Sequence, residues 1–455
     1  MKRIFILFLF FLSITSVFAQ SNILDNYINA ALDSNLTLQQ KKYSYQKSLE
    51  ALKEAKRMFL PTVSFEARYT VAEGGRTVTI PFGDMMNPAY NNLNSVNQSL
   101  NMPVSQYPEI ENYSLTFVRS PEQETKLVVG LPVFNYAIIQ NHKIKKSLVE
   151  VEEINVEIYK RELVKEVKEA YVKYLQAEQI YNLYNNALSL VNQSLKSRQS
   201  LFANDKITID EVYAAKAQVK QVEKDLTEAN KNRTMAATWF NFLLNRDFDA
   251  EIEIEELTVP VITNYDLEDL KKASLSNREE FTQLGKFIEI QEHTVKLEKG
   301  EALPKISIGA QYGFQGEEYT FNDESHFAAV GINLSWSLFT SGQRQSKISQ
   351  AQIERKILES RKQEIELQIQ MEATETYYSL KTAQEGIELA EGELQNFRLS
   401  YLLVEKKYQQ GIVNYLEYSS ALNNKMNAEI KLILAKYTYQ IEQINLEREI
   451  SAYEL

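Results

Sequence analysis

Leu60-Pro61-Thr62-Val63-Ser64-Phe65-Glu66-Ala67-Arg68-Tyr69 returns as Leu303-Pro304-Lys305-Ile306-Ser307-Ile308-Gly309-Ala310-Gln311-Tyr312, an offset of 243. Each copy alternates apolar and polar residues directly after a Leu-Pro pair. Val63, Phe65, Ala67, Tyr69 and Val71 point one way in the first copy; Ile306, Ile308, Ala310, Tyr312 and Phe314 do so in the second. A second alternating stretch follows each. Leu127, Val129, Leu131 and Val133 correspond to Ile332, Leu334, Trp336 and Leu338. Further along, Tyr171 matches Tyr377, Ala177 matches Ala383, Phe202 matches Tyr408, Glu211 matches Glu417 and Ala215 matches Ala421, all at an offset of 206. The chain is an internal duplication, and its period is far too long for a simple solenoid.

The alternation predicts strands over about 62–71, 125–134, 305–314 and 327–338. Strands near ten residues with one apolar face are the signature of a membrane β-barrel, although a soluble sandwich with one wet face has the same pattern. Geometry separates the two. Four strands cannot close into a barrel, and an open sheet edge in lipid leaves backbone groups unsatisfied. A membrane barrel built from this chain therefore needs several copies, and three would supply about twelve strands, enough for a lumen. The first hairpin is much longer than the second. Its extra residues include Pro81, Pro88, Pro103 and Pro108 among Asn91, Asn92, Asn94, Asn97 and Asn101. That composition predicts a loop, placed outside the cell as long barrel loops are.

From Val133 to Val259 there is neither glycine nor proline. Leu163, Ala170, Ala177, Tyr184 and Val191 fall seven apart, with Val167, Tyr174, Tyr181 and Leu188 interleaved, which is a coiled-coil seam. Ile369, Ala373, Leu380, Ala383, Ile387, Ala390, Leu394 and Phe397 continue the pattern in the second copy. The pattern predicts long helical hairpins at about 138–246 and 343–450, the first helix extending roughly 95 Å at 1.5 Å per residue. The hairpins turn at Ala203-Asn204-Asp205-Lys206 and at Gln409-Gln410-Gly411.

Lys2 and Arg3 followed by the apolar run Ile4–Leu12 and by Val17-Phe18-Ala19 read as a secretory leader over 1–19. The repeats then divide as 20–263 and 264–455. Net charge is −11, which argues against nucleic acid as a partner. The chain has no cysteine, so disulfides and thiolate chemistry are excluded. His142, His293 and His326 lie far apart in sequence and have no zinc-type spacing. There is no nucleophile elbow and no P-loop, and Gly74-Gly75 lacks a strand-to-helix context. The expectation is a protein that is not an enzyme and that needs no cofactor or metal.

The order and duplication of these features resemble the TolC family of outer-membrane export ducts. The carrying features are a leader, two copies of Leu-Pro strand, strand and long helical hairpin, and a turn Tyr408-Gln409-Gln410-Gly411-Ile412-Val413-Asn414-Tyr415-Leu416-Glu417. The resemblance implies a mainly α fold with a small β part. A homotrimer would form a 12-stranded β-barrel in the outer membrane of a Gram-negative bacterium and an α-helical barrel in the periplasm. It implies a passive channel for efflux or type I secretion, coupled to an inner-membrane transporter through a periplasmic adaptor (membrane fusion) protein. By the same match, the adaptor would dock at Phe202, Asp205, Lys206, Ile207, Tyr408, Gly411, Ile412 and Val413. Glu417 falls on an acidic pore-constriction position whose second acid is replaced by Ser420. Asp210 and Glu211 follow the first turn, with Glu211 at the matching position. Trp336 and Tyr312 are expected at membrane interfaces. The alternative from the residues alone is a soluble periplasmic coiled-coil adaptor or scaffold.

Overall fold

The computed structural model describes residues 23–118, 120–254 and 265–452. The leader at 1–19 and the division at 263/264 lie outside the described residues. Helices α1 (Ile23–Ser34) and α2 (Leu36–Arg57) lead into strand β1 (Thr62–Thr70). A short ribbon of β2 (Thr77–Ile80) and β3 (Tyr113–Thr116) brackets α3 (Phe82–Ser99), and β4 (Glu122–Phe134) returns. The first hairpin of helices is α4 (Tyr136–Ala203) and α5 (Ile209–Leu243). The second repeat runs α6 (Leu267–Asn277), α7 (Glu279–Gly300), β5 (Lys305–Gly316), β6 (His326–Ser335), α8 (Gln343–Gln409) and α9 (Tyr415–Glu449).

Two compact units emerge, and they cut across the repeats. One comprises 52–144 and 293–351 and holds all six strands. Its main sheet is antiparallel in the order β1-β4-β5-β6. The duplicated hairpins thus join through β4 and β5, and β1 and β6 remain as edges.

The other unit holds the helical seams. Leu163, Val167, Ala170 and Tyr171 of α4 are sealed in one core with Phe240 and Leu243 of α5, Tyr437 and Ile444 of α9, and Ala31 of α1. Leu163, Val167 and Ala170 are heptad positions read from the sequence; Tyr174 and Ala177 of the same seam are half-buried, and Tyr171, Val172 and Leu175 beside it are buried, so the apolar stripe is wider than a two-helix seam where α4 meets several neighbours. Tyr27 meets Phe240 edge to face, Tyr171 packs tilted against both, and the Tyr171 hydroxyl donates to the Glu253 carbonyl at 3.0 Å. Farther along, Arg278 bridges Glu372 and Glu449 at 2.5 and 2.9 Å, and Arg448 reaches Glu280 at 2.6 Å. The two guanidiniums draw the Glu280 carboxyl below the usual range, overcoming a burial effect that opposes them.

The proline- and asparagine-rich insertion is not the loop its composition predicts. It contains an 18-residue helix, α3, that accommodates Pro88 inside it. Asn87 Nδ2 donates to the Ile110 carbonyl at 2.9 Å, and its Oδ1 accepts from the Ile110 N–H at 2.8 Å. Asn94 likewise donates to the Tyr107 carbonyl at 2.9 Å and accepts from the Tyr107 N–H at 2.8 Å. Asn87 and Asn94 are two helical turns apart, so they hold an extended segment along one side of α3. Tyr90 stacks on Tyr107 between them. Asparagines that look like turn formers in sequence here replace a missing β-partner for the 107–110 backbone, a long-range use that composition does not show.

Candidate functional site: the open sheet and the helical tips

The main sheet has two unlike faces. Val63, Val129, Ala310 and Val330 form one row in register, and Phe65, Leu127, Tyr312 and Ala328 form the next. Ile308 and Ile332 extend the same face. This face is apolar and bare: Val63 and Phe65 are each 67% exposed, Val330 78% and Ile332 76%. The opposite face carries a ladder of charge in which Arg68 pairs with Glu124 at 3.2 Å and Lys126 pairs with Glu124 at 2.9 Å. Gln315 donates to Glu122 at 2.7 Å on the same face. Below these charges, Thr62, Gly130, Gly309 and Gly331 lie in one row, where three glycines leave the surface without side chains.

An apolar face this large is unstable in water, and β1 and β6 each have only one strand neighbour. Among the described residues no helix is long and apolar enough to cross a membrane. Trp336 follows directly after β6, and its indole Nε1 donates to the Ala302 carbonyl at 2.9 Å. It lies level with the start of β5, since Ser335 pairs with Lys305. Tyr312 stands seven residues farther along β5, opposite Ala328. At about 3.4 Å per residue the two aromatics are separated by roughly 25 Å along the strand, the height of an apolar belt in an outer-membrane barrel. Tyr69 and Tyr319 stack at 5.8 Å on the Tyr312 side, and exposed Phe134 and Phe339 accompany Trp336.

The tips of the helical hairpins are built alike. In the first, the Lys206 N–H bonds the Leu201 carbonyl and the Asp205 N–H bonds the Phe202 carbonyl, at 2.9 Å each. In the second, the Ile412 N–H bonds Lys407 at 2.9 Å and the Gly411 N–H bonds Tyr408 at 3.0 Å. Both are Schellman ends, and they match at the repeat offset of 206. The motif requires a left-handed residue, supplied by Asp205 at φ 53° and Gly411 at φ 72°. Thr208 and Asn414 then cap α5 and α9; Asn414 accepts from the Glu417 N–H at 3.0 Å, whereas Thr208 makes no such bond. Phe202, Asp205, Lys206, Gly411 and Ile412 are exposed, and Ile207 and Val413 are half-buried.

Just behind the tips, Arg198 is 4% exposed. Its Nη1 donates to the Glu211 carboxylate at 2.5 Å, and its guanidinium lies over the rings of Tyr408 and Tyr415 at 4.4 and 4.6 Å. One side chain of α4 therefore joins α5, α8 and α9. Tyr408 stacks on Tyr418 at 4.8 Å, and the Tyr418 and Tyr401 hydroxyls are 3.3 Å apart. Burial, with hydrogen bonds to Tyr418 and Glu405, holds the Tyr401 hydroxyl protonated far above the usual phenol range. Gln218 completes the seam by donating to Asn423 at 2.8 Å and accepting from Ser419 at 3.2 Å.

The structure thus separates the three acids expected at a constriction. Glu211 is engaged by Arg198, while Asp210 and Glu417 are exposed. Tyr408, expected in a docking surface, is half-buried under Arg198. The sequence reading missed Arg198 itself. Its signal was present: it falls seven residues after Val191, so the apolar seam runs onto a charge. Among the described residues no group of three or more His, Cys, Asp or Glu is placed to hold a metal ion.

Residues 271–450 match the family model of the outer membrane efflux protein. No curated protein matches the chain in sequence. Solved structures match over nearly its whole length. The Campylobacter jejuni CmeC outer membrane channel superposes with a TM-score of 0.72 at 14% identity, covering 94% of this chain and 85% of that one. The Vibrio cholerae outer membrane protein VceC gives 0.72 at 16% identity, with 94% and 95% covered. The open state of the Neisseria gonorrhoeae MtrE outer membrane channel gives 0.71 at 13% identity, with 94% and 88% covered.

Proposed function

We propose that this chain, whose residues 271–450 match the family model of the outer membrane efflux protein and which has the fold of outer-membrane channels along its length, is one third of a passive export conduit in the outer membrane. The observation that carries this reading is the open sheet, apolar on one face, charged on the other and unpaired at β1 and β6. A soluble adaptor or scaffold would leave that face and both edges in water. Three copies joined edge to edge give a closed barrel of about twelve strands, which satisfies every backbone group in lipid and turns the charged face inward.

The chemistry is passage rather than reaction. The helical hairpins continue the conduit into the periplasm, and a periplasmic adaptor docks at the exposed tip residues around Asp205 and Gly411. An inner-membrane transporter supplies the energy. Opening at the tips must loosen the Arg198 contact, because that side chain ties the first hairpin to the second; sliding of the returning helices α5 and α9 is a mode packed helices allow. Three copies of Glu417 facing one axis would favour cations.

Outer-membrane fractionation followed by an unboiled gel tests the assembly. A heat-sensitive trimer that forms ion-conducting channels in planar bilayers supports the conduit. A monomer recovered in the soluble periplasmic fraction rejects it.

A further inference from the structure

Helix α3 presents a second apolar seam that stays exposed among the described residues. Phe82, Met86, Ala89, Leu93, Val96 and Leu100 recur at alternating spacings of four and three, and all six are exposed. The adjacent face, one residue on and about 100° around the helix, is the clasp face of Asn87, Tyr90 and Asn94. The helix is therefore inverted relative to a soluble one: Asn87 and Asn94 face its own chain, and its aliphatic stripe faces away. A seam of this spacing matches another helix carrying the same spacing.

We infer that the occupant is the same helix of other copies: in the trimer the three α3 stripes pack on one another about the shared axis and close the outer mouth of the barrel. This rests on the trimer reading. Two observations select self-association. Asp84 is the one formal charge in residues 82–99, and at two residues past Phe82 it lies about 200° around the helix from the stripe, so the stripes of copies can approach with no charge between them. Moreover, α3 is inserted between β1 and β4, and β1 is the edge that a second copy must pair. The contact that closes the sheet thus also gathers the three helices, which raises their effective concentration.

The cysteine-free chain allows a direct test. Leu93→Cys lies on the stripe, and Ser95→Cys is an exposed position off it. After mild oxidation in outer membranes, Leu93→Cys should yield disulfide-linked dimers on boiled, non-reducing gels at least about tenfold faster than Ser95→Cys. Leu93→Asp should increase single-channel conductance. An unboiled trimer band is scored in the same samples. A trimer in which Leu93→Cys links no faster than Ser95→Cys, or in which Leu93→Asp leaves conductance unchanged, overturns the helical closure and leaves the trimer reading standing. In a chain with Trp239 and Trp336 replaced by Phe, quenching of Leu93→Trp fluorescence by brominated lipid would assign the stripe to the outer leaflet and also overturn it. A monomer overturns both.

Discussion

The two hairpin tips share a backbone and differ in what stands behind it. Each ends in the same Schellman turn, and each carries a glutamate three residues past its cap, Glu211 and Glu417. Glu211 is held by buried Arg198; the position matching Arg198 in the second copy is Val404, and Glu417 is exposed. One substitution between the copies has therefore turned the same acid into a structural partner in one tip and left it available to the solvent in the other. Duplication supplied two equivalent tips, and a single cation in the seam made them unequal.

Removing that cation has the largest expected effect. Arg198→Met leaves Glu211 unpaired and strips the cover from Tyr408 and Tyr415. The loss is about 2 kcal/mol, reduced from the fully buried case because Glu211 is partly solvated. Amide exchange at both tips should accelerate about thirtyfold, since one side chain serves both hairpins. Acceleration confined to the first tip would show that the link between hairpins carries no energy.

The turns themselves come next. Gly411→Val places a β-branched residue at φ 72° and should weaken the second tip by about 1–2 kcal/mol in the same exchange measurement. Asp205→Gly relaxes the equivalent strain in the first tip and should stabilise it by up to about 1 kcal/mol. If Asp205→Gly loosens the first tip, the aspartate side chain has a local partner worth more than the strain. Glu417→Gln should change stability least, by under about 0.5 kcal/mol, because the side chain is solvated. Its readout is electrical: block of single-channel current by multivalent cations should weaken. Unchanged block removes Glu417 from the pore.

The parts legible in sequence were those set by short-range periodicity. Alternation at Thr62–Thr70 and Lys305–Phe314 located strands, because a half-buried strand needs a period of two. Heptads located α4 and α8, and the offset of 206 aligned both tips before any geometry was known. The parts that were not legible depend on partners distant in sequence. Asn87 and Asn94 act on residues 110 and 107, so the helix they anchor looked like a loop. Arg198 takes its role from Tyr408 and Tyr415 of the other repeat, whose rings meet its guanidinium at 4.4 and 4.6 Å. Trp336 was expected at an interface and stands at one end of the sheet, whereas Tyr312 marks the other; alternation gave their common face but not their levels.

Amide exchange of β1 and β6 in the detergent-solubilised protein tests closure of the sheet most directly. In β1 alternate amides point away from β4, and in β6 alternate amides point away from β5. If copies pair edge to edge, those outward amides exchange as slowly as the ones inside the β4–β5 pair. If they exchange as fast as a free strand edge while the inward ones stay protected, the sheet ends with a single chain and there is no shared barrel.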